Sequence, residues 1–486
     1  MSGVDYQAIR EIIRNLKSDH DAMGSHSPTV AEIFTPQQHA NALDPNTHVV
    51  VGARGTGKSF WAGVLNNSET RIAAAQAYPR LGLEKLIVTP GYLGVGEPSR
   101  QTLDSCIPPE ATPKIALLFW QATILRAARL ALEPGAQPPK YRDFMTQLDD
   151  SEDAHFAFSR LDQELTTRGQ TLLVIFDALD TVSREWNRSS RLVDALFEVI
   201  WSLRAFKSIK AKVFIRPEQL EDESLRFVEL PKLRSEAVKL LWLQPDLFGL
   251  LFTRMATDSI AQDGDPFGGL QANNRIDALP SALSARRQWP LARDRQAQRS
   301  FMAVLAGQYM GKTNRKGNTY DWPYNHLADG NDQVTPRSFL KLFNVAAAFP
   351  DLPNGIVLSP AAIRNGLREA SKVRLDQLDV EYRWVKRALA PLSGLQVPSK
   401  PSEVYRRWNA SKTMERIMTA ATDPHDPFLP PFPARSSGDQ HERLANQMKI
   451  IGVIAFREDG RIDMPDLFRV AARMLKKGGV SLSETV

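Results

Sequence analysis

The feature that most constrains this chain is the apolar run His48-Val49-Val50-Val51, which ends in Gly52-Ala53-Arg54-Gly55-Thr56-Gly57-Lys58-Ser59, a G-x-x-x-x-G-K-S pattern. A loop that wraps a polyphosphate must turn backbone N–H groups inward. Gly52, Gly55 and Gly57 permit the backbone angles and close approach that side chains block. Ala53, Arg54, Thr56 and Phe60 complete the candidate nucleotide-binding set. Lys58 would reach the β- and γ-phosphates, and Ser59, opening the next helix, would offer its hydroxyl to Mg²⁺ beside the helix N-terminus. A strand before and a helix after are both predicted, the helix from Phe60-Trp61-Ala62-Gly63-Val64-Leu65. A second Gly-Lys-Thr, at Gly311-Lys312-Thr313, is set aside, because the motif's first glycine would fall on Ala306 and no strand precedes it.

At 486 residues the chain has room for roughly two or three domains. No apolar run is read as approaching the ~18 residues of a membrane helix, and the N-terminus lacks a basic-then-apolar leader, so a cytoplasmic location is expected. The single cysteine, Cys106, excludes an intrachain disulfide and a cysteine-built metal site. A net charge of +6 permits a nucleic-acid partner without requiring one.

The second anchor is Thr171-Leu172-Leu173-Val174-Ile175-Phe176-Asp177, an apolar strand ending in aspartate. Such a strand carries a carboxylate to the edge of a sheet, where it orders Mg²⁺ through water. Asp177-Ala178-Leu179-Asp180 places a second carboxylate three residues on. Asp180 is the candidate for polarising an attacking water; its alternative role is to cap the following helix.

This strand-D-x-x-D arrangement, with the P-loop, resembles the STAND and KAP branches of the AAA+-like NTPases. The resemblance covers Asn46 to about Phe349. It implies a P-loop core with a parallel sheet in which the fifth strand lies at one edge, followed by the first, fourth, third and second. Other strands are read at Lys85 to Pro90, Ala211 to Pro217 and Leu225 to Pro231. Arg216, at the end of the fourth strand, stands at the sensor 1 position; pairing with Glu218 or Asp180 is its other reading. Arg226, before the last strand, is a candidate finger for a neighbouring subunit or a solvent-facing arginine. Thr335-Pro336-Arg337 followed by an apolar helix is similar to the lid of origin-recognition and loader ATPases, which makes Arg337 sensor 2 by resemblance. Phe34 is a candidate over the adenine or a core aromatic.

The expected domains are a lead-in at 1–45, the core at 46–233, an all-α lid at 234–355 and a winged-helix-like α+β domain at 356–486. The amphipathic stretch Asp5 to Leu16 is expected to pack on the nucleotide domain. The last domain is read from a proline-rich connector, Pro424 to Pro433, a helix from His441, an Asp459-Gly460 hairpin turn and a closing helix from Pro465 to Lys477. Basic residues from Arg286 to Lys316, interleaved with Trp289, Tyr309, Tyr320 and Trp322, are the ingredients of a nucleic-acid surface and equally of ordinary solvated helices. Arg457, Arg461, Lys476 and Lys477 suit DNA contact or a nucleotide lock.

The resemblance implies an ATP- and Mg²⁺-dependent molecular switch that hydrolyses ATP and regulates a separate effector, as in bacterial anti-phage defence systems, with homo-oligomerisation open and no membrane partner. A loader-like ATPase on double-stranded DNA is the alternative. A non-hydrolysing scaffold is the third, because Ala178 stands where AAA+ proteins have glutamate.

Overall fold

In the computed structural model, which describes residues 4–18, 27–135, 137–183, 185–222, 225–350, 355–432, 438–477 and 479, five strands form one parallel sheet. They are β1 (Val49–Val51), β2 (Leu86–Tyr92), β3 (Thr171–Phe176), β4 (Ile209–Ile215) and β5 (Val238–Lys239). The order is β2-β3-β4-β1-β5, the expected order read from the other edge. Leu172 to Phe176 have no exposed surface. Helices cover both faces of such a sheet, which is why its strands read as unbroken apolar runs rather than as alternation. Val51 pairs with Ile215, and Phe176 pairs with both Val213 and Tyr92. This register brings the C-terminal ends of four strands to one edge, followed by Gly52, Asp177 and Arg216.

The helix Pro113–Leu132 between β2 and β3 is, among the described residues, the one helix long and apolar enough to cross a membrane. Lys114, Gln121, Arg126 and Arg129 interrupt it, so it is not an unbroken apolar run. It is a core helix, with Phe119, Trp120 and Ile124 fully buried and the Trp120 indole donating to Leu192 O at 2.8 Å.

Two expectations fail. Leu225 to Pro231 is not the fifth strand: Leu230–Glu236 is a helix, and the edge strand is Val238–Lys239. The unpaired edge of β1 selects its neighbour by backbone hydrogen bonding, as where Leu240 N donates to Val51 O at 2.7 Å, and that demand leaves no local sequence signal. The helix Tyr6–Asn15 does not pack on the nucleotide core. It lies against the helix Pro336–Ala348, where Arg10 donates to Val357 O and Ala347 O at 3.3 and 3.2 Å, and Asn344 donates to Leu16 O at 2.7 Å.

The chain divides into two compact units, His20–Leu241 and a second made of Met1–Asp19 with Trp242–Val486. The core therefore runs past the expected boundary at 234, because β5 belongs to its sheet, and within the second unit we propose a further boundary at about residue 356. In the second unit the helix Pro360–Glu381 crosses Pro336–Ala348 at Gly366, where a Cβ would lie 2.3 Å from Leu342 O. Only glycine permits that approach. The helices Pro401–Ala410, Thr413–Ala421 and Gln440–Ile450 lead to an antiparallel hairpin, a winged-helix-like order.

The small strands are β6 (Gln396–Val397), β7 (Ala455–Phe456), β8 (Ile462–Asp463) and β9 (Leu475–Lys476). The closing helix expected to Lys477 stops early: Asp466–Arg469 is helical, and Leu475–Lys476 instead pairs with β6. Pro433, the last residue of the proline-rich connector, lies outside the described residues. Earlier in it, Phe428 is held under Arg383 and Arg387 at 5.9 and 5.4 Å.

Candidate functional site

The site grows from β1. Gly52 N donates to Ile215 O at 3.0 Å, so the loop begins in register with the end of β4. A Cβ on Gly52 would lie 2.4 Å from Thr56 Oγ1 and 3.3 Å from Lys58 Cγ, which makes this glycine a packing requirement. Thr56, nearly fully buried, donates its hydroxyl to Ala53 O at 2.8 Å and closes the loop on itself. Gly57 has φ +97° at the N-cap of the helix Lys58–Asn66, a left-handed conformation that costs other residues roughly 1–2 kcal/mol. Lys58 Nζ lies within the loop, 2.7 Å from Gly52 O and 3.1 Å from Ala53 O.

Across the edge, Asp177 N donates to Tyr92 O at 2.8 Å, and its side chain accepts from Ser59 Oγ at 2.6 Å. Asp177 is 3% exposed. Burial pushes its carboxyl above the usual range, while the Ser59 hydroxyl, the Lys58 charge and the Ala178 backbone N–H pull the other way. A hydroxyl and a carboxylate oxygen side by side are hard donors of the type Mg²⁺ takes, and this ion needs only one or two carboxylates besides phosphate and water. A nucleotide with Mg²⁺ therefore fits the residues present. Among the described residues no group of three or more His, Cys, Asp or Glu side chains is placed to hold a metal.

Ala178 has φ +55°, and a Cβ on Gly94 would lie 2.9 Å from its Cβ. The backbone next to Asp177 therefore turns its side chain toward the chain leaving β2. Asp180 follows in the 3-10 turn Leu179–Thr181 and pairs with Arg216 through Nη2 to Oδ2 at 2.8 Å. The helix-cap alternative falls, since the N-cap position of the next helix, Trp186–Ser202, is Glu185. Asp180 is 38% exposed and Arg216 14%. The water-polarising candidate and the sensor candidate thus form one ion pair.

The remaining candidates lie elsewhere. Arg226 is exposed, in the segment between β4 and the helix Leu230–Glu236, and Asp194 Oδ1 accepts its backbone N–H at 3.0 Å. Arg337 is the second residue of the helix Pro336–Ala348, whose N-cap Thr335 accepts from Ser338 N, and it belongs to the second unit. Phe34 is half-buried in the segment before that leading to β1, and Phe60 packs edge-on against Trp61 at 5.4 Å.

Three groups escape a reading of the sequence. Tyr92, buried at the end of β2, shares a hydrogen bond with Thr181 Oγ1 at 2.8 Å and so ties β2 to the turn that carries Asp180. Lys212 is fully buried in β4, donating to Asp44 O and Thr47 O at 2.9 and 2.6 Å, and burial pushes its ammonium down to about 7. A lysine inside Ala211-Lys212-Val213-Phe214-Ile215 is the visible signal.

His39 joins the lead-in to the P-loop helix. The Trp61 indole, which can only donate, gives its N–H to His39 Nδ1 at 3.1 Å, so Nε2 carries the proton and donates to Leu241 O at 2.9 Å. Protonation at Nδ1 would set two donors face to face. Burial pushes this imidazole down to about 4, against the opposing hydrogen bond to Leu241. As pH falls from about 6.5 to about 4, the unfolded chain takes up a proton that the folded chain does not, so stability falls across that window and levels off below it. The full step is about 3 kcal/mol at 1.36 kcal/mol per unit. Urea unfolding should show it in wild type and lose it in His39→Gln, whose amide can both donate and accept; equal pH dependence in the two would refute the assignment.

The expected basic surface divides in two. Trp289, Tyr320 and Trp322 are buried, and Trp289 Nε1 and Tyr320 OH are spent on Asp277 O at 2.8 Å and Gln298 Oε1 at 2.7 Å. These aromatics are core, not a stacking platform. Lys312, Arg315 and Lys316 remain exposed.

No family model matches the chain, and no curated protein matches it. Among solved structures it is similar to the Aeropyrum pernix ORC2 protein in ADPNP-ADP complexes, at 13% identity over 91% of this chain and 92% of that one, with a TM-score of 0.32. It is also similar to Cdc6p from Pyrobaculum aerophilum, at 12% identity over 93% and 95%, with a TM-score of 0.28. Likenesses with TM-scores this low carry no weight for the function.

Proposed function

We propose that the chain is an ATP-hydrolysing molecular switch. The observation that carries this reading is the 2.6 Å contact between Ser59, in the first turn of the helix Lys58–Asn66, and Asp177, at the end of β3, on the sheet edge that also presents Lys58 and the Asp180–Arg216 pair. The P-loop amides and Lys58 would hold the phosphates, and Ser59 and Asp177 would hold Mg²⁺. When bound, Mg²⁺ supplies neutralisation of phosphate charge.

The chain's own residues do the rest. Asp180 orients water and accepts its proton, with Tyr92 and Thr181 setting the turn it stands on. Arg216 holds Asp180 through the ion pair and responds to the γ-phosphate, so the same cation links the nucleotide to the base. The sensor 2 role of Arg337, which opens the helix Pro336–Ala348, rests on the family resemblance alone. A separate partner polypeptide, as in a defence system, reads the nucleotide state; this last step rests on the family resemblance.

ATP turnover by the purified protein, beside Lys58→Ala and Asp180→Ala, tests the reading. Lys58→Ala is expected to lose nucleotide binding. Asp180→Ala should keep it while turnover falls by on the order of 10²-fold or more, the usual scale for a positioned general base. If wild type binds ATP yet turns it over no faster than Asp180→Ala, Asp180 is not the base and the scaffold reading replaces the switch.

A further inference from the structure

Two basic surfaces in the second unit invite an anionic partner, and their charge pairing separates them. In the hairpin of β7 and β8, Arg457 Nη2 lies 2.6 Å from Asp463 Oδ2, Lys476 Nζ lies 3.1 Å from the same oxygen, and Arg461 lies 2.7 Å from Asp459. Between Ala455 and Asp463 there are two arginines against Glu458, Asp459 and Asp463. The hairpin's cations are spent on its own carboxylates.

The segment Tyr309 to Asn318 is the opposite case. It carries Lys312, Arg315 and Lys316 and no acid. All three cations are exposed, and none has a hydrogen-bond or ion-pair partner among the described residues. The loop is nonetheless built. Tyr309 and Asn318 bridge its neck, Met310 N donates to Gly317 O at 2.9 Å, and Gly317 N donates to Asn314 O at 3.0 Å. Arg364 braces it from the helix Pro360–Glu381 through Met310 O at 2.9 Å. A Cβ on Gly311 would lie 2.9 Å from Lys316 Cγ, so the glycine lets the lysine stem lie flat on the loop. Three unpaired cations on a braced loop form a preorganised anion site, in which little freedom is lost on binding.

We propose that the Tyr309–Asn318 loop, rather than the C-terminal hairpin, contacts the phosphate backbone of duplex DNA. The duplex is favoured over single strands because, of the four aromatics among these charges, Trp289, Tyr320 and Trp322 are buried and only Tyr309, at the loop's neck, is half-buried, too few faces to stack successive bases. It is favoured over a membrane because none of the exposed large apolar side chains lies between Arg286 and Tyr320, so no wedge accompanies the charges. Contacts to phosphate alone position a duplex without reading its sequence. The Gly311-Lys312-Thr313 that imitates a P-loop in sequence is part of this phosphate-facing turn. The inference does not depend on ATP turnover and has its own readout.

The experiment is anisotropy of a labelled mixed-sequence DNA duplex with the full chain, over roughly 50 to 200 mM salt. Replacing Lys312, Arg315 and Lys316 together by alanine should lower the slope of log affinity against log salt by about 2.7, at 0.9 per phosphate contact, and weaken binding at ~0.1 M by on the order of 100-fold. The charge-preserving set Lys312→Arg, Arg315→Lys and Lys316→Arg should keep the slope. Arg457→Ala with Arg461→Ala should keep it too. The proposal is overturned by an unchanged slope in the alanine triple variant at a wild-type melting temperature, or by a loss that follows the hairpin variant instead. Wild type that binds no duplex, or binds only vesicles of anionic phospholipid, overturns it equally.

Discussion

Asp177→Asn is expected to abolish ATP turnover while the nucleotide-free protein melts at the wild-type temperature or higher. The two effects separate because one side chain does two things. As the proposed ligand it would contribute an anionic oxygen beside Ser59 Oγ, and losing that anion from a Mg²⁺ site would remove several kcal/mol of transition-state stabilisation, on the order of 10³-fold in rate. As a buried residue it is a desolvated carboxylate with a raised pKa. Between the ordinary carboxylate value near 3.9 and the raised folded value, the folded state holds a proton that the unfolded state has lost. Stability therefore falls as pH rises through that window. Asparagine has the same shape, accepts the same Ser59 hydroxyl and carries no charge, so the variant should lack this pH dependence. Turnover above one-tenth of wild type, or a marked drop in melting temperature at neutral pH, would count against both roles.

Gly52→Ala is expected to destabilise the protein by about 1–3 kcal/mol, the usual cost of forcing a methyl into a filled space, and to weaken ATP binding by tenfold or more. The new Cβ would stand 2.4 Å from Thr56 Oγ1, an atom tied to Ala53 O and unable to swing aside without opening the loop. Opening the loop displaces Lys58 and Ser59 together. Thr56→Ala removes the atom that is struck, so Gly52→Ala with Thr56→Ala should be more stable than the sum of the single changes by about 1 kcal/mol, beyond the ~0.3–0.5 kcal/mol scatter of independent sites. Chemical denaturation of the four proteins measures the difference. Strict additivity would show that the clash is not what selects glycine at this position.

Much of the core is legible in the order of residues alone. The P-loop can be read because its glycines answer a local backbone requirement, seen again in the φ of Gly57. The four longer strands follow from apolar runs that a two-sided parallel sheet imposes. The helix at Pro336 follows from a threonine cap with proline after it, and the wing from Asp459-Gly460, whose glycine has φ +76°. The misses have a common cause. Val238–Lys239 is two residues long and becomes a strand only because β1 has a free edge, while the more strand-like Phe227-Val228 stays outside, with Val228 84% exposed. Leu475–Lys476 is a strand because Gln396–Val397 lies beside it. The helix Tyr6–Asn15 shows its apolar stripe in sequence but not which surface the stripe meets.

The amino-acid order by itself determined the phosphate loop, the strand bearing Asp177 and the alternation of strands and helices, since each is enforced within a few neighbouring residues by sterics, capping or periodicity. The tertiary structure alone decided which charges are paired. Asp180 meets Arg216, Asp463 takes Arg457 and Lys476, and Lys312, Arg315 and Lys316 meet none among the described residues. Electrostatic attraction depends on a separation of a few ångströms in space, and residues far apart along a chain acquire that separation only when the fold brings them together.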